Sequence, residues 1–221
     1  MKIDMHIHTK YSGDSISEPY KIMKVAKKMG LDGIAVTDHN NVKGWKDMLK
    51  AGKRFGIRII LGEEIKIKDR QNSYEILGLF LNNGITSNNQ DEVIDEIKEQ
   101  GGIVSIAHPF DPYKSSINSI ENLVKKIDAI EVFNSRVISK SHNKRALTFA
   151  EKHKLGMTAG SDAHTEREVG NAYTIADVDS LEDFKNAILK RETRFHGKLM
   201  SPLLRASPKI ARLNKRLKKI F

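Results

Sequence analysis

The chain opens Met1-Lys2-Ile3-Asp4-Met5-His6-Ile7-His8-Thr9. In an extended strand alternate side chains share a face, so His6 and His8 point the same way with Ile7 opposite. Two imidazoles side by side suit a cation that prefers nitrogen and oxygen ligands. One such pair is weak evidence, because histidines two apart are common on surfaces. The rest of the chain repeats the arrangement: apolar runs end at Asp38-His39, Gly62-Glu63-Glu64, His108-Pro109, Glu131 with Asn134, and Asp162-Ala163-His164. Of eight histidines, five (6, 8, 39, 108 and 164) fall at these ends, whereas His142, His153 and His196 fall elsewhere. With no cysteine to supply a thiolate, a polynuclear site of imidazoles and carboxylates fits Mn, Fe or Zn rather than a softer ion. Bound metal lowers the pKa of water toward ~7, and two ions ~3.5–4 Å apart can clamp the attacking and leaving oxygens of an in-line displacement. Phosphoryl oxygens gain most from such a clamp, which points to phosphoester hydrolysis.

The elements that must position these groups are short apolar runs alternating with amphipathic helices. Strands are expected at Ile3–Ile7, Gly33–Thr37, Ile57–Ile65, Tyr74–Leu81, Ile103–Ala107, Ala129–Phe133 and Met157–Ala159, with a short further run at Tyr173–Ile175. Ser17 can cap a helix carrying Ile22, Met23, Val25, Ala26 and Met29 on its apolar face. Helices stop at Gly30, Gly56, Gly101-Gly102 and Gly156, the punctuation of repeated βα units whose parallel strands need crossovers. An α/β fold, a seven-stranded β/α barrel or an irregular relative, fits better than an open sheet, and in such a barrel strand ends share one rim. No GxGxxG or GxxxxGK[ST] loop is present, which argues against a dinucleotide or P-loop fold.

A chain of 221 residues can bury one good core. It contains no run approaching the ~18 apolar residues of a membrane span and no apolar leader, so a soluble cytoplasmic protein is the expectation. The net charge of +10 is localised: eleven Lys/Arg and one acid, Glu192, lie between Lys190 and Phe221, leaving the preceding residues neutral. Residues 1–191 are therefore read as the barrel and 192–221 as a basic amphipathic tail. Ser207-Pro208 starts a helix there, with Ile210, Leu213, Leu217 and Ile220 at three- and four-residue steps among Lys209, Arg212, Lys215, Arg216, Lys218 and Lys219. Its apolar stripe can pack on the barrel or on a second copy, giving a homo-oligomer. Its charge can instead meet nucleic acid or an anionic membrane.

His6-Ile7-His8, Thr37-Asp38-His39, Ala107-His108-Pro109 and Gly160-Ser161-Asp162-Ala163-His164 resemble, in order, the four motifs of the PHP (polymerase and histidinol phosphatase) family. The resemblance covers the body and not the tail. It implies a distorted seven-stranded β/α barrel with two or three divalent ions at the strand ends, hydrolysing phosphoesters. Carried over, the family pattern puts His6, His8, Glu64 and Asp162 on one ion, with Glu64 bridging to a second held by His108. A third ion would use His39, His164 and Asp14, where some members have histidine. Glu75 stands where the family often has a histidine, as an oxygen ligand in its place or as the mark of a weaker second site.

Bland readings stand beside these. Asp38 is a ligand or, more in keeping with its position, the partner that fixes an imidazole tautomer. Glu63 faces away from Glu64 by alternation, toward solvent or a salt bridge. Arg136 is a candidate phosphate clamp with a catalytic part beside His108 and Asp162, and Asn134 could line the rim against substrate. Lys10, Tyr11 and Arg167 lie on rim loops and are read as surface residues. Met23, Met29 and Trp45 are read as core. The function these readings favour is hydrolysis of a phosphate mono- or diester, a small phosphoester, a nucleotide or a nucleic-acid end, by metal-activated water. The rivals are an amidohydrolase-type metal hydrolase, which would need a strand-end lysine not evident here, and a non-catalytic nucleic-acid-binding module on a relict barrel.

Overall fold

The computed structural model describes residues 1–68, 73–115 and 120–217. Its strands are Lys2–Ile7 (β1), Gly33–Val36 (β2), Arg58–Lys68 (β3), Ser73–Leu79 (β4), Ile103–Ile106 (β5), Ala129–Asn134 (β6), Gly156–Gly160 (β7), Ala172–Ile175 (β8) and Arg194–Gly197 (β9). They pair in sequence order. β8 spans the seam, meeting β7 at Tyr173 and β1 at Thr174 and Ile175, which closes an eight-stranded barrel; β9 lies along β8 as an extra strand. The expected count of seven is thus exceeded. The run at Tyr173–Ile175, too short to look like a barrel stave, is the one that shuts the ring. β9 has one apolar residue in Arg-Phe-His-Gly and leaves no alternating signal.

β1–β3 run parallel, as do β5–β7, whereas β4 and β8 are antiparallel to their neighbours. The reversal at β4 matters for chemistry. It pairs Lys66 with Glu75, so the start of β4 lies beside the end of β3 and delivers Glu75 to the rim where the parallel strands finish.

The helices are Pro19–Lys28 (α1), Trp45–Phe55 (α2), Gln90–Glu99 (α3), Lys140–His153 (α4), Leu181–Lys190 (α5), Pro202–Arg205 (α6) and Ser207–Leu217 (α7). Ile22, Met23 and Ala26 of α1 and Met48 and Ala51 of α2 pack with Ile34 and Val36 of β2. Ser17 is not the cap of α1: Glu18 holds that place with proline next, and Met29, past the helix end, is 45% exposed rather than core. Gly56 ends α2 at φ +68°, a conformation that costs other residues a Cβ clash. Ser207 begins α7, but a separate turn, α6, precedes it behind Ser201-Pro202. No helix of the described residues is long and apolar enough to cross a membrane.

The seam between β7 and β1 is the tightest point of the barrel. A Cβ on Gly160 would fall 2.3 Å from the Cβ of His6 and 2.7 Å from its backbone nitrogen. Gly160→Ala must therefore push β7 from β1, and overpacking of this kind costs about 2 kcal/mol, roughly 4–8 °C in Tm for a chain of this size. Thermal unfolding checks it: a melting temperature unchanged within a degree would show that the seam is looser than described.

Candidate metal centre

β1 presents His6 and His8 on one face, as alternation requires, and their Nε2 atoms lie 3.1 Å apart. Between them and three further strands sits Glu64 of β3. Its Oε2 is 3.3 Å from His6 Nε2, 3.2 Å from His8 Nε2 and 3.0 Å from His39 Nδ1, and its Oε1 is 3.2 Å from His108 Nε2. On the other side Asp162 Oδ1 stands 3.5 Å from His8 Nε2. Asp14, on the loop after β1, places Oδ2 3.3 Å from His39 Nε2 and 3.4 Å from His164 Nε2. Glu75 Oε2 is 3.5 Å from His108 Nε2. All nine side chains named in the sequence as ligand candidates meet here. His39 is the most exposed of them, with 24% of its side chain open, and Glu75 has 11%.

Four overlapping groups bring their donor atoms within 4.8 Å of one another: His8, Asp14, His39 and His164; His6, Glu64 and His108; His6, His8 and Asp162; and His39, Glu64 and Glu75. Glu64 Oε2 is buried and, despite three imidazole nitrogens around it, makes no hydrogen bond. A buried carboxylate oxygen left without a proton donor is costly unless a cation meets it, so this set fits divalent ions. The turn residues are strained in the same place: His108 has φ +29° and Asp162 φ +53°, left-handed values that are uncommon for residues other than glycine.

Electrostatics follow from burial and crowding. Burial opposes charge on His6, but Glu64, Glu131 and Asp162 outweigh it and hold its imidazole well above the ordinary value. Burial likewise opposes His39, which Glu64 and Asp14 raise. Glu64, which burial alone would push up, is pulled well below the carboxylate range by His6, His39 and the bond from His108. His164 falls to about 3, through burial and then the neighbouring His8. Asp4, below the cluster on β1, rises to about 7 because burial outweighs the bonds it accepts from Ser161, Gly170 and His6.

A second layer fixes the first. Glu131 Oε1 is 2.9 Å from His6 Nδ1, which holds that proton away from the cluster and leaves Nε2 facing it. Asn134 is fully buried; its amide donates to Glu131 Oε2 (2.9 Å) and Asp162 Oδ2 (3.2 Å), while its Oδ1 accepts from Arg136 N (2.8 Å). Nothing of Asn134 remains for substrate, so the rim role expected for it is replaced by orienting two carboxylates. Arg136 is also turned inward. Its Nε donates to Asp162 O (2.9 Å), Nη1 to Arg205 O (3.3 Å), and Nη2 to Glu168 Oε2 and to Ser207 Oγ (3.4 Å). With every guanidinium nitrogen on a protein acceptor, the phosphate clamp becomes a brace. Asp38 contacts no imidazole: its oxygens accept from Thr9 N and Oγ1, both at 2.6 Å, and so pin the residue after His8. Glu63, 2% exposed, makes no ion pair among the described residues and accepts from Ile85 N at 2.9 Å. Lys10 pairs with Glu18 at 2.9 Å and Tyr11 donates to Asp47, both away from the cluster.

Several residues escaped the sequence reading. Lys114, on the loop after His108, sets its ammonium against Asp162 Oδ2 and is held above the ordinary lysine value, burial notwithstanding, by that carboxylate. Only its place six residues past the strand-end histidine hinted at it. Glu168, fully buried, gathers Arg136, Ser207 Oγ (2.7 Å) and His164 N (2.6 Å). A cavity of about 470 Å³ opens over the cluster, lined by Asp14, His39, Lys114, Asp162, Lys209 and Arg212 among others.

The tail meets the barrel by its basic face. Arg212 Nη2 is 2.8 Å from Asp14 Oδ2, Lys215 Nζ donates to the carbonyls of Lys10 (2.7 Å) and Ser12, and Ala211 is 1% exposed. Ile210 and Leu213 of the expected docking stripe are 54% and 58% exposed instead. The acidic loop at Asp14 offers more to the helix than the apolar body does. Lys218, Lys219 and Ile220 lie outside the described residues.

The family model of the PHP domain matches residues 4–195. An uncharacterized protein of Methanocaldococcus jannaschii is 42% identical over 147 residues, 61% of this chain and 82% of that protein. A second one from the same organism is 36% identical over 180 residues, 78% of this chain and 69% of its own length. Among solved structures, a two-domain protein from Bacteroides vulgatus, described as containing a predicted PHP-like metal-dependent phosphoesterase, superposes with a TM-score of 0.76. That match runs at 20% identity over 90% of this chain and 65% of the other.

If the cluster holds ions, His6→Ala and Asp162→Ala should each lose bound metal by elemental analysis while far-UV circular dichroism stays native. Lys114→Gln should do the reverse, tightening Mn²⁺ binding several-fold in calorimetry, because an ammonium no longer competes for Asp162. Full metal content in the two alanine variants would remove them from the donor set.

Proposed function

The chain belongs to the PHP domain family, and on that premise we propose that it is a metal-dependent phosphoesterase acting on a phosphate mono- or diester. Two or three divalent ions, Mn, Fe or Zn, would be held by His6, His8, Glu64 and Asp162, by Glu64, His108 and Glu75, and by Asp14, His39 and His164. The observation that carries the reading is Glu64, a buried carboxylate with one oxygen against three imidazoles and no hydrogen bond to satisfy it. When bound, such ions supply Lewis acidity, lowering the pKa of water and neutralising charge that develops on phosphoryl oxygens.

The chain's own residues do the rest. Glu131 keeps the proton of His6 on Nδ1, so that the free lone pair faces the cavity. Asn134 fixes Oδ2 of Asp162 and Arg136 its backbone carbonyl, which keeps the cluster from relaxing when substrate charge arrives. Lys114 stays protonated beside Asp162 at the cavity wall, within reach of an anionic ester, and takes the clamp role first given to Arg136. The absence of cysteine is in keeping with hard oxygen and nitrogen ligation.

Purified protein loaded with Mn²⁺ is expected to release phosphate or an alcohol from at least one member of a phosphoester panel, with activity lost on chelation and regained on adding metal back. The same samples assayed for ammonia or amine release should stay at background. Amide hydrolysis without phosphoester hydrolysis would turn the reading to the amidohydrolase chemistry.

A further inference from the structure

α6 and α7 are the part of the molecule that the proposed chemistry leaves unused, yet they form one wall of its cavity. Their anchors are polar and specific. Ser207 Oγ donates to buried Glu168, Arg205 O accepts from Arg136, and Lys215 spans the carbonyls of Lys10 and Ser12. Thus fixed, Arg205, Lys209 and Arg212 follow one another at four- and three-residue steps and line the cavity that also holds Asp14, His39, Asp162 and His164.

The row is only partly neutralised. Arg212 touches Asp14 Oδ2 at 2.8 Å, so its inner end reaches the candidate donor set. Arg205 is different: its Nη1 donates weakly to Ile138 O at 3.4 Å, and its Nε is buried with no acceptor among the described residues. A buried cationic N–H without an acceptor is unfavourable until an anion arrives. Lys209 is exposed between the two arginines. Asp14 and Asp162, two carboxylates of the same cavity, are turned into the imidazoles and their braces. Among the described residues no carboxylate forms an ion pair with Arg205 or Lys209.

We infer that Arg205, Lys209 and Arg212 form a second anion subsite beside the metal cluster, which receives a phosphate other than the scissile one. The inference rests on the phosphoesterase reading for the identity of the neighbouring site. Its ligand is a substrate bearing at least two phosphates. The second phosphate can belong to a bisphosphorylated small molecule or be the next linkage of a nucleic-acid strand.

The test uses the full chain and Arg205→Gln and Lys209→Gln, which remove charge and keep helix propensity. Selectivity is read on Mn²⁺-loaded protein as kcat/KM for a nucleoside bisphosphate, or for a 5′-phosphorylated dinucleotide, over that for p-nitrophenyl phosphate. It should fall roughly ten-fold in each variant, the loss of one charged hydrogen bond. Separately from turnover, a dye-labelled trinucleotide should bind the wild-type chain in EDTA. The slope of log K against log salt should shrink by about 0.7 per variant. Whichever bisphosphorylated probe is preferred identifies the source of the second phosphate. Selectivity and salt slope both unchanged would overturn the subsite. No turnover of any ester, with a salt slope that still responds, would leave the subsite standing and remove the phosphoesterase reading instead.

Discussion

Everything at this rim depends on one arrangement: a buried carboxylate, Glu64, surrounded by imidazoles that would otherwise repel or orphan each other. His6, His8, His108 and His164 are at most 3% exposed, and the rings of His8 and His164 are only 4.2 Å apart. Protonating all of them is opposed by burial and by mutual repulsion, which in that order drive His164 down. Leaving all of them neutral would strand the charge of Glu64 in a medium where an unpaired carboxylate is prohibitive, whereas Asp162 and Asp14 have other cations, Lys114 and Arg212, against them. Cations shared among those groups resolve both conflicts at once. The barrel can concentrate the groups because they come from several strand ends that share one rim, and because antiparallel β4 turns Glu75 back toward the same rim.

The residues that brace the cluster are as telling as those in it. A contact chain runs from His6 through Glu131 and Asn134 to Asp162, then through Arg136 to Glu168 and Ser207. Each member uses nearly its full hydrogen-bonding capacity on protein, so the chain is rigid rather than reactive. This separates two basic residues that look alike in sequence. Arg136 is enclosed and committed, whereas Lys114 is partly open and faces the cavity with one carboxylate partner. Positioning and substrate contact are thus divided between them.

What could be read from the sequence tracks what is local. Strand alternation put His6 and His8 on one face and Glu63 and Glu64 on opposite faces, because the period of a strand is a property of a few consecutive residues, while the choice of Glu64 as the ligand came from the family resemblance. The strand-end placement of His39, His108, Asp162 and His164 followed from apolar runs that stop there. Alternation could not say that the far side of β3 is also covered, which is why Glu63 is buried under Ile85. The committed state of Arg136 and Asn134 and the reach of Lys114 depend on residues 26 to 71 positions away in the chain, distances over which no periodicity carries information. The closing of the ring by β8 and the addition of β9 are decided by the geometry of the seam, not by the propensities of two four-residue strands.

The tail shows how docking changes the meaning of charge. Read as free chain, a segment holding most of the net positive charge is a general polyanion binder, with weak and salt-sensitive affinity for any phosphate backbone. Docked, its charges divide by role. Lys215 is spent on two carbonyls and Arg212, itself half-exposed, on the buried carboxylate of Asp14. The Ser207–Glu168 bond fixes the helix register, since breaking it would leave Oε1 of the buried Glu168 without its donor. Once the register is fixed, Arg205 and Lys209 can only face the cavity. Their positive charge then acts at a defined distance from the strand ends rather than along an arbitrary polymer, which converts a non-specific attraction into a requirement on the shape of what enters.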